Sequence, residues 1–169
     1  MQRLILMRHG DAERPAPGLE DFERGLTAEG RAESRLVGQA LAEAGLAPDL
    51  GLVSSARRAA ETWRAAAEAF PQALCEQDRA LYAASAVRLA AAVRTVGDRA
   101  QALMVVSHNP GLHQLAIRLS VDAGASQLST RPLFERFPTG SAVVFRFDPA
   151  GRPTFERLFL VKDLRRAKP

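Results

Sequence analysis

The feature that most constrains this chain is where its apolar residues stand shoulder to shoulder. Leu4-Ile5-Leu6-Met7 and Ala102-Leu103-Met104-Val105-Val106 are short, continuous apolar runs. A strand with one wet face alternates polar and apolar. A continuous run belongs to a strand covered on both faces, as in a parallel sheet flanked by helices. Residues 50–53 form a further short strand. Helical patterns separate the runs. Ala32, Leu36, Val37, Ala40, Leu41 and Ala44 recur at helical spacing after Thr27, a capping residue, and Gly45 is a natural stop. Ser54 or Ser55 is placed to cap a second helix that ends near Phe70, before Pro71. Residues 73–76 read as a weak strand, 85–96 as a third helix stopped by Gly97, and 110–119 as a fourth. Two β-rich runs, 141–147 and 154–161, flank the turn Asp148-Pro149-Ala150-Gly151. This alternation predicts an α/β fold, a three-layer α/β/α domain with a mainly parallel central sheet and a C-terminal antiparallel hairpin. Residues 120–140 lack periodicity, and because a loop this long is unusual in a compact domain they are expected to be either a functional lip or partly structured.

Composition narrows the class. A chain of 169 residues suits a single domain, 1–169. With 47% hydrophobic and 25% charged residues it is ordinary globular material. No apolar run approaches the roughly 18 residues of a membrane span, and the charged Arg8 ends the first run too early for a signal-peptide core. Cys75 is the single cysteine, which excludes an internal disulfide and a multi-cysteine zinc site. A cytoplasmic protein is expected. The net charge is +4, and Lys162 and Lys168 are the only lysines, so arginine carries the basic pI of 10.2. No basic stripe with interleaved aromatics is present, so neither nucleic acid nor a membrane is an expected partner. The Arg165-Arg166-Ala167-Lys168 tail reads as solvated.

Ligands of such sheets bind outside the carboxyl ends of the strands. After the first strand stands Arg8-His9-Gly10, after the second Ser54-Ser55-Ala56-Arg57-Arg58, and after the strongest Ser107-His108-Asn109-Pro110-Gly111. Two of the three histidines and several arginines thus fall at one predicted edge. Arginine grips phosphate through a planar fork. Nearby cations disfavour imidazolium, which keeps His9 neutral with a ring nitrogen free to attack phosphorus. A bound phosphate reverses that sign for His108 and favours its cationic, donating form. Gly10 allows backbone to approach an anion, and Asn109 before Pro110 suits a helix cap, whose amide dipoles favour an anion. Ser54, Arg58 and Thr62 share one helical face. Arg57 points elsewhere and has Glu61 four residues on, a surface ion pair.

These residues resemble the histidine phosphatase superfamily, with the phosphoglycerate mutase-like fold, and within it the small SixA-like phosphohistidine phosphatases. The matching stretches are Met7-Arg8-His9-Gly10-Asp11-Ala12, Arg24-Gly25-Leu26-Thr27-Ala28-Glu29-Gly30, Ser54-Ser55-Ala56-Arg57-Arg58-Ala59-Ala60-Glu61-Thr62, Val106-Ser107-His108-Asn109-Pro110 and Phe137-Pro138-Thr139-Gly140. The resemblance implies a nucleophilic, transiently phosphorylated His9, with Arg8, Arg58 and His108 completing the phosphate pocket. It implies no metal and no cofactor, with water hydrolysing the phospho-enzyme. It places Arg24 at the pocket rim. Gly10, Asp11, Ser54 and Asn109 are further candidates for contacts to phosphate or substrate.

One departure is informative. Broader members carry a glutamate proton donor after the third strand, where this chain reads Asp78-Arg79-Ala80-Leu81-Tyr82-Ala83-Ala84-Ser85. An alkoxide leaving group needs a proton in the transition state, and a placed acid contributes about 10²–10⁴-fold. An imidazole needs less help. The gap favours a phosphoramidate such as phosphohistidine in a protein, or an activated small ester. A phosphohistidine-binding module without turnover is the rival. Asp11 is the nearest spare carboxylate, either an acid or a loop cap. His113 reads as a half-buried helix histidine, Cys75 as a core or strand residue, Trp63 and Phe70 as core, and Tyr82 as either core or rim. Oligomeric state is not legible.

Overall fold

The computed structural model describes residues 1–167. Its elements are β1 (Arg3–Arg8), α1 (Ala28–Glu43), β2 (Leu50–Ser54), α2 (Arg57–Ala67), β3 (Leu74–Asp78), α3 (Ala86–Gly97), β4 (Ala102–Ser107), α4 (Gly111–Asp122), α5 (Gln127–Glu135), β5 (Ala142–Phe147), β6 (Pro153–Phe159) and α6 (Val161–Ala167). The six strands form one sheet in the order β3-β2-β4-β1-β5-β6. β3, β2, β4 and β1 run parallel, and the β5–β6 hairpin joins β1 antiparallel. This is the α/β arrangement expected from the runs.

The continuous runs are buried on both faces. Along β1, Leu4 and Leu6 pack into a core with Leu89 and Val93 of α3, Leu112 and Leu115 of α4, and Leu133 of α5. Ile5 and Met7 face the opposite core, with Val37 and Leu41 of α1 and Trp63 of α2. Full burial of one such aliphatic side chain is worth about 1.5–3 kcal/mol. Trp63 and Phe70 pack there with ring centroids 5.7 Å apart.

Several boundaries differ from the sequence reading. Thr27 caps α1 as expected, accepting from Gly30 N at 2.9 Å. Neither Ser54 nor Ser55 caps α2. Its N-cap is Ala56, and the helix stops at Ala67, before Phe70. Asn109 does not cap α4 either, since the N-cap is Pro110. Residues 120–140 are partly structured, the second of the two expectations: they hold the end of α4 and all of α5, which Ser126 caps from its side chain. Cys75 lies on the edge strand β3 and is exposed, so the strand reading holds and the core reading does not. The tail is helical. Arg165 reaches Glu29 at 2.6 Å and Glu33 at 2.9 Å, an exposed ion pair that fastens α6 to α1. Lys168 lies outside the described residues. No described helix is long and apolar enough to cross a membrane.

Candidate active site

The two histidines meet because two neighbouring parallel strands end together. Arg8, the last residue of β1, is in register with Ser107, the last of β4. His9 and His108 therefore emerge side by side, and His9 N donates to Ser107 O at 3.1 Å. Their ring centroids are 5.0 Å apart, and both residues are under one-tenth exposed, His9 at 8% and His108 at 5%. The chain turns away from β1 through a tight crossing with α1. A Cβ on Gly10 would lie 2.7 Å from Gly30 O, and one on Gly30 would lie 2.1 Å from Asp11 O. Glycine at both places permits this approach.

Each imidazole has its orientation set by one partner. His9 Nδ1 lies 2.8 Å from Gly10 O, a carbonyl that can only accept. Nδ1 therefore carries the proton, and Nε2 keeps a bare lone pair. His108 Nε2 bonds Ser54 Oγ at 2.8 Å, so Ser54 supports the second histidine from behind. Burial pushes the His9 pKa down from 6.5 to about 4; the Gly10 hydrogen bond opposes this, and Arg58, Arg8 and Arg24 add to it. Burial, then His9 and Arg58, take His108 down to about 3. Both rings are neutral at pH 7, as the sequence argument requires of the attacking one.

Arginines surround this pair. Arg58, on the first turn of α2, is 6% exposed. Its Nη2 donates to Asp21 Oδ2 at 2.8 Å and its Nη1 to the Asp21 carbonyl. Arg24 Nη1 lies 3.3 Å from Asp21 Oδ1. Arg8 Nη1 donates to Phe137 O at 3.0 Å, and Asn109 Nδ2 donates to the same carbonyl at 3.0 Å. That carbonyl belongs to the loop after α5, which Gly140 N ties to His9 O at 3.0 Å. Buried polar atoms nearly always find partners. Here Arg8 Nε, Arg24 Nε, Arg58 Nε and His108 Nδ1 are buried without one. A converging set of unpaired donors, on arginines that charge the site, is what an oxyanion takes.

The remaining candidates divide. Gly10 N donates to Thr62 Oγ1 at 2.9 Å, so its amide is spent on α2 rather than turned to an anion. Asp11 is exposed, and its carboxylate takes the Thr27 hydroxyl at 2.9 Å, the loop-cap alternative. Asn109 holds the Phe137 loop in place of capping α4. Arg57 pairs with Glu61 at 2.8 Å on the exposed side of α2. His113 is half-buried, with Nε2 2.6 Å from Leu133 O. Tyr82 stands at the rim, edge-on to His108 at 5.5 Å, and its hydroxyl donates to Asp21 Oδ2 at 2.7 Å. Asp21 itself carried no signal in the sequence, although it lies three residues before Arg24 of a matching stretch. A cavity of about 450 Å³ opens beside Arg8, lined by Asn109, His113, Arg136 and Phe137. A cavity of about 500 Å³ near Met1, Leu4 and Phe147 lies at the opposite end of the strands, away from this chemistry.

Known proteins resemble this chain in sequence and fold. The model of the histidine phosphatase superfamily (branch 1) matches residues 4–82. The uncharacterized protein Rv1276c of Mycobacterium tuberculosis is 32% identical over 140 residues, 83% of this chain and 86% of that protein. The structure of a candidate phosphohistidine phosphatase SixA from Agrobacterium tumefaciens is 28% identical at a TM-score of 0.81, covering 94% of this chain and 97% of its own. The protein histidine phosphatase SixA complexed with tungstate has the same fold, with a TM-score of 0.76 and 24% identity over 96% of this chain and 99% of its own. This chain belongs to the histidine phosphatase superfamily. Within it the chain is SixA-like, and it is a phosphatase hydrolase by that likeness.

Proposed function

We propose that this phosphatase hydrolyses phosphohistidine, carried by a protein, through a phosphorylated intermediate on His9. The observation that carries the reading is the His9 tautomer. Nδ1–H is held by Gly10 O, which leaves Nε2 as the nucleophile. Attack forms the Nε2–P bond, and the substrate P–N bond breaks with its electron pair going to the departing imidazole. Water then attacks the phosphorus of phospho-His9, forms a P–O bond and frees Nε2 and orthophosphate. Arg8, Arg58 and His108 stabilise the transferring group, with Arg24 at the rim, because their donors are already aimed and buried.

The leaving group decides between substrates. Among the described residues no carboxylate is hydrogen-bonded to either histidine. Asp11 is taken up by Thr27, and Arg58, Arg24 and Tyr82 hold Asp21 as a carboxylate. An ester oxygen would leave without a proton donor. An imidazole protonated on its distal nitrogen leaves as a neutral molecule. The SixA likeness at 28% identity supports the same substrate class. The His9→Ala variant is expected to lose turnover of a phosphohistidine protein entirely. Normal hydrolysis by that variant contradicts the mechanism. Stoichiometric binding of the phosphoprotein by the wild type, with no phosphate release, would instead show a binding module.

A further inference from the structure

The site is rich in donors, yet phosphohistidine has one group that must be accepted: the N–H on the ring nitrogen that does not carry phosphorus. We propose that Asp21 accepts this N–H from the departing imidazole, so that Asp21 is a specificity-determining residue for N–P over O–P substrates. The inference rests on the phosphohistidine reading above and deepens it.

Position comes first. In-line transfer sends the leaving group out opposite the nucleophile. A chain of contacts runs from His9 to His108 (5.0 Å between rings), from His108 to Tyr82 (5.5 Å), and from the Tyr82 hydroxyl to Asp21 Oδ2 (2.7 Å). Arg58 spans the same gap, bonded to Asp21 and lying 5.7 Å from the Tyr82 ring. Asp21 is thus joined to the histidine pair through Tyr82 and Arg58, at the rim where Tyr82 stands. Its side chain is 53% exposed, so a bound group can reach it.

Acceptor capacity comes second. The other acceptors near the cradle are neutral: the carbonyls Gly10 O, used by His9, and Phe137 O, used by Arg8 and Asn109, and the buried, unpartnered Asn109 Oδ1. A carboxylate offers about four lone-pair sites. At Asp21, Oδ2 takes Arg58 Nη2 and the Tyr82 hydroxyl, while Oδ1 has only Arg24 Nη1 at 3.3 Å. One site on Oδ1 is left. The Tyr82 hydrogen bond, then Arg58 and Arg24, hold the Asp21 pKa below the ordinary carboxylate range against the opposing effect of burial. The group is therefore an acceptor and a poor acid. Phe22, edge-on to Tyr82 at 5.1 Å, adds an aromatic wall beside it that suits a flat ring.

The chemistry balances without a proton from the protein. A phosphoimidazole that binds with its distal nitrogen protonated loses the P–N bond to His9, and neutral imidazole departs with that N–H still in place. Asp21 holds the N–H throughout and favours the positive charge of the bound ring.

The test compares kcat/KM for phosphoimidazole and p-nitrophenyl phosphate, the latter having no N–H. Wild-type enzyme, Asp21→Asn and Asp21→Ala are measured. The ratio of phosphoimidazole to p-nitrophenyl phosphate is expected to fall about tenfold in both variants, the loss of one charge-assisted hydrogen bond. An equal loss on both substrates, or no loss, overturns the inference and leaves Asp21 as a support for Arg58. Wild-type enzyme that fails to turn over phosphoimidazole overturns the phosphohistidine reading, and this inference with it. A measurement on the wild type alone avoids any folding defect. Phosphoimidazole methylated on its distal nitrogen keeps ring and charge but has no N–H. Its enzymatic acceleration over the uncatalysed rate is expected to drop about tenfold by the same argument. An unchanged acceleration overturns the inference.

Discussion

Arg57 and Arg58 are adjacent in sequence and opposite in circumstance. Arg57 lies on the outer side of α2, where Glu61 and Arg31 join it in an exposed ion-pair network with contacts of 2.8 and 2.6 Å. Arg58, one residue on, turns inward and is buried at the carboxyl edge of the sheet, with Nε unpartnered and Asp21 on its outer donors. One step along a helix turns a side chain by about 100°. Here that rotation separates a solvated charge from a buried one. Burial and unpaired donors, more than the presence of arginine, are what make Arg58 the candidate.

The comparison is broken most directly at Arg58. Arg58→Ala is expected to lower kcat by about 10²–10³, the usual cost of removing an aimed oxyanion donor. Arg58→Lys should recover little of it, since an ammonium cannot reproduce the fork. A loss below tenfold in Arg58→Ala would place the clamp elsewhere. Ser54→Ala comes next. It removes the partner of His108 Nε2 and frees the ring to turn. A fall of about tenfold in kcat is expected, a typical cost for losing an orienting partner, with thermal stability little altered. No change in kcat would make Ser54 a packing residue only.

The folded values of His9 and His108, about 4 and about 3, lie below the ordinary 6.5. The unfolded chain therefore binds protons first as pH falls. Their contribution to stability is complete above 6.5 and is lost as pH drops toward about 4 and then about 3. Nitrogen-resolved NMR titration should show both rings neutral at pH 6, and tungstate should raise the His108 value. Ordinary titration near 6.5 in the free protein would contradict the buried cradle. The smallest effect belongs to Arg57→Ala, which should alter kcat/KM less than about twofold, as exposed ion pairs contribute little.

The contrast also shows what the sequence can carry. β1 and β4 were legible because two-faced burial writes itself as continuous apolar runs, and α1 because Thr27 and Gly45 bracket its stripe. The meeting of His9 and His108 was legible because both follow parallel strands, whose ends collect ligand groups. α5 was not. Pro132 interrupts it, and Leu128 is exposed while Leu133 is buried, so no regular stripe forms. α6 begins at Val161, inside an apolar run that reads as strand. Asp21 was hidden for another reason. It sits on a short 3-10 turn, and its partners Arg58 and Tyr82 are 37 and 61 residues away. Only the folded sheet brings them together. The expected caps by Ser54 and Asn109 gave way because both side chains are bonded elsewhere: Ser54 to His108, Asn109 to the Phe137 carbonyl.

The central claim is that His9 Nε2 takes the phosphoryl group. The most direct measurement is rapid acid-free quenching of the enzyme during turnover of phosphoimidazole, followed by peptide mass spectrometry that preserves acid-labile phosphate. Phosphate is expected on His9, absent from His9→Ala and discharged by water. Phosphate on another residue, or steady turnover with no phospho-enzyme at any time point, would contradict it.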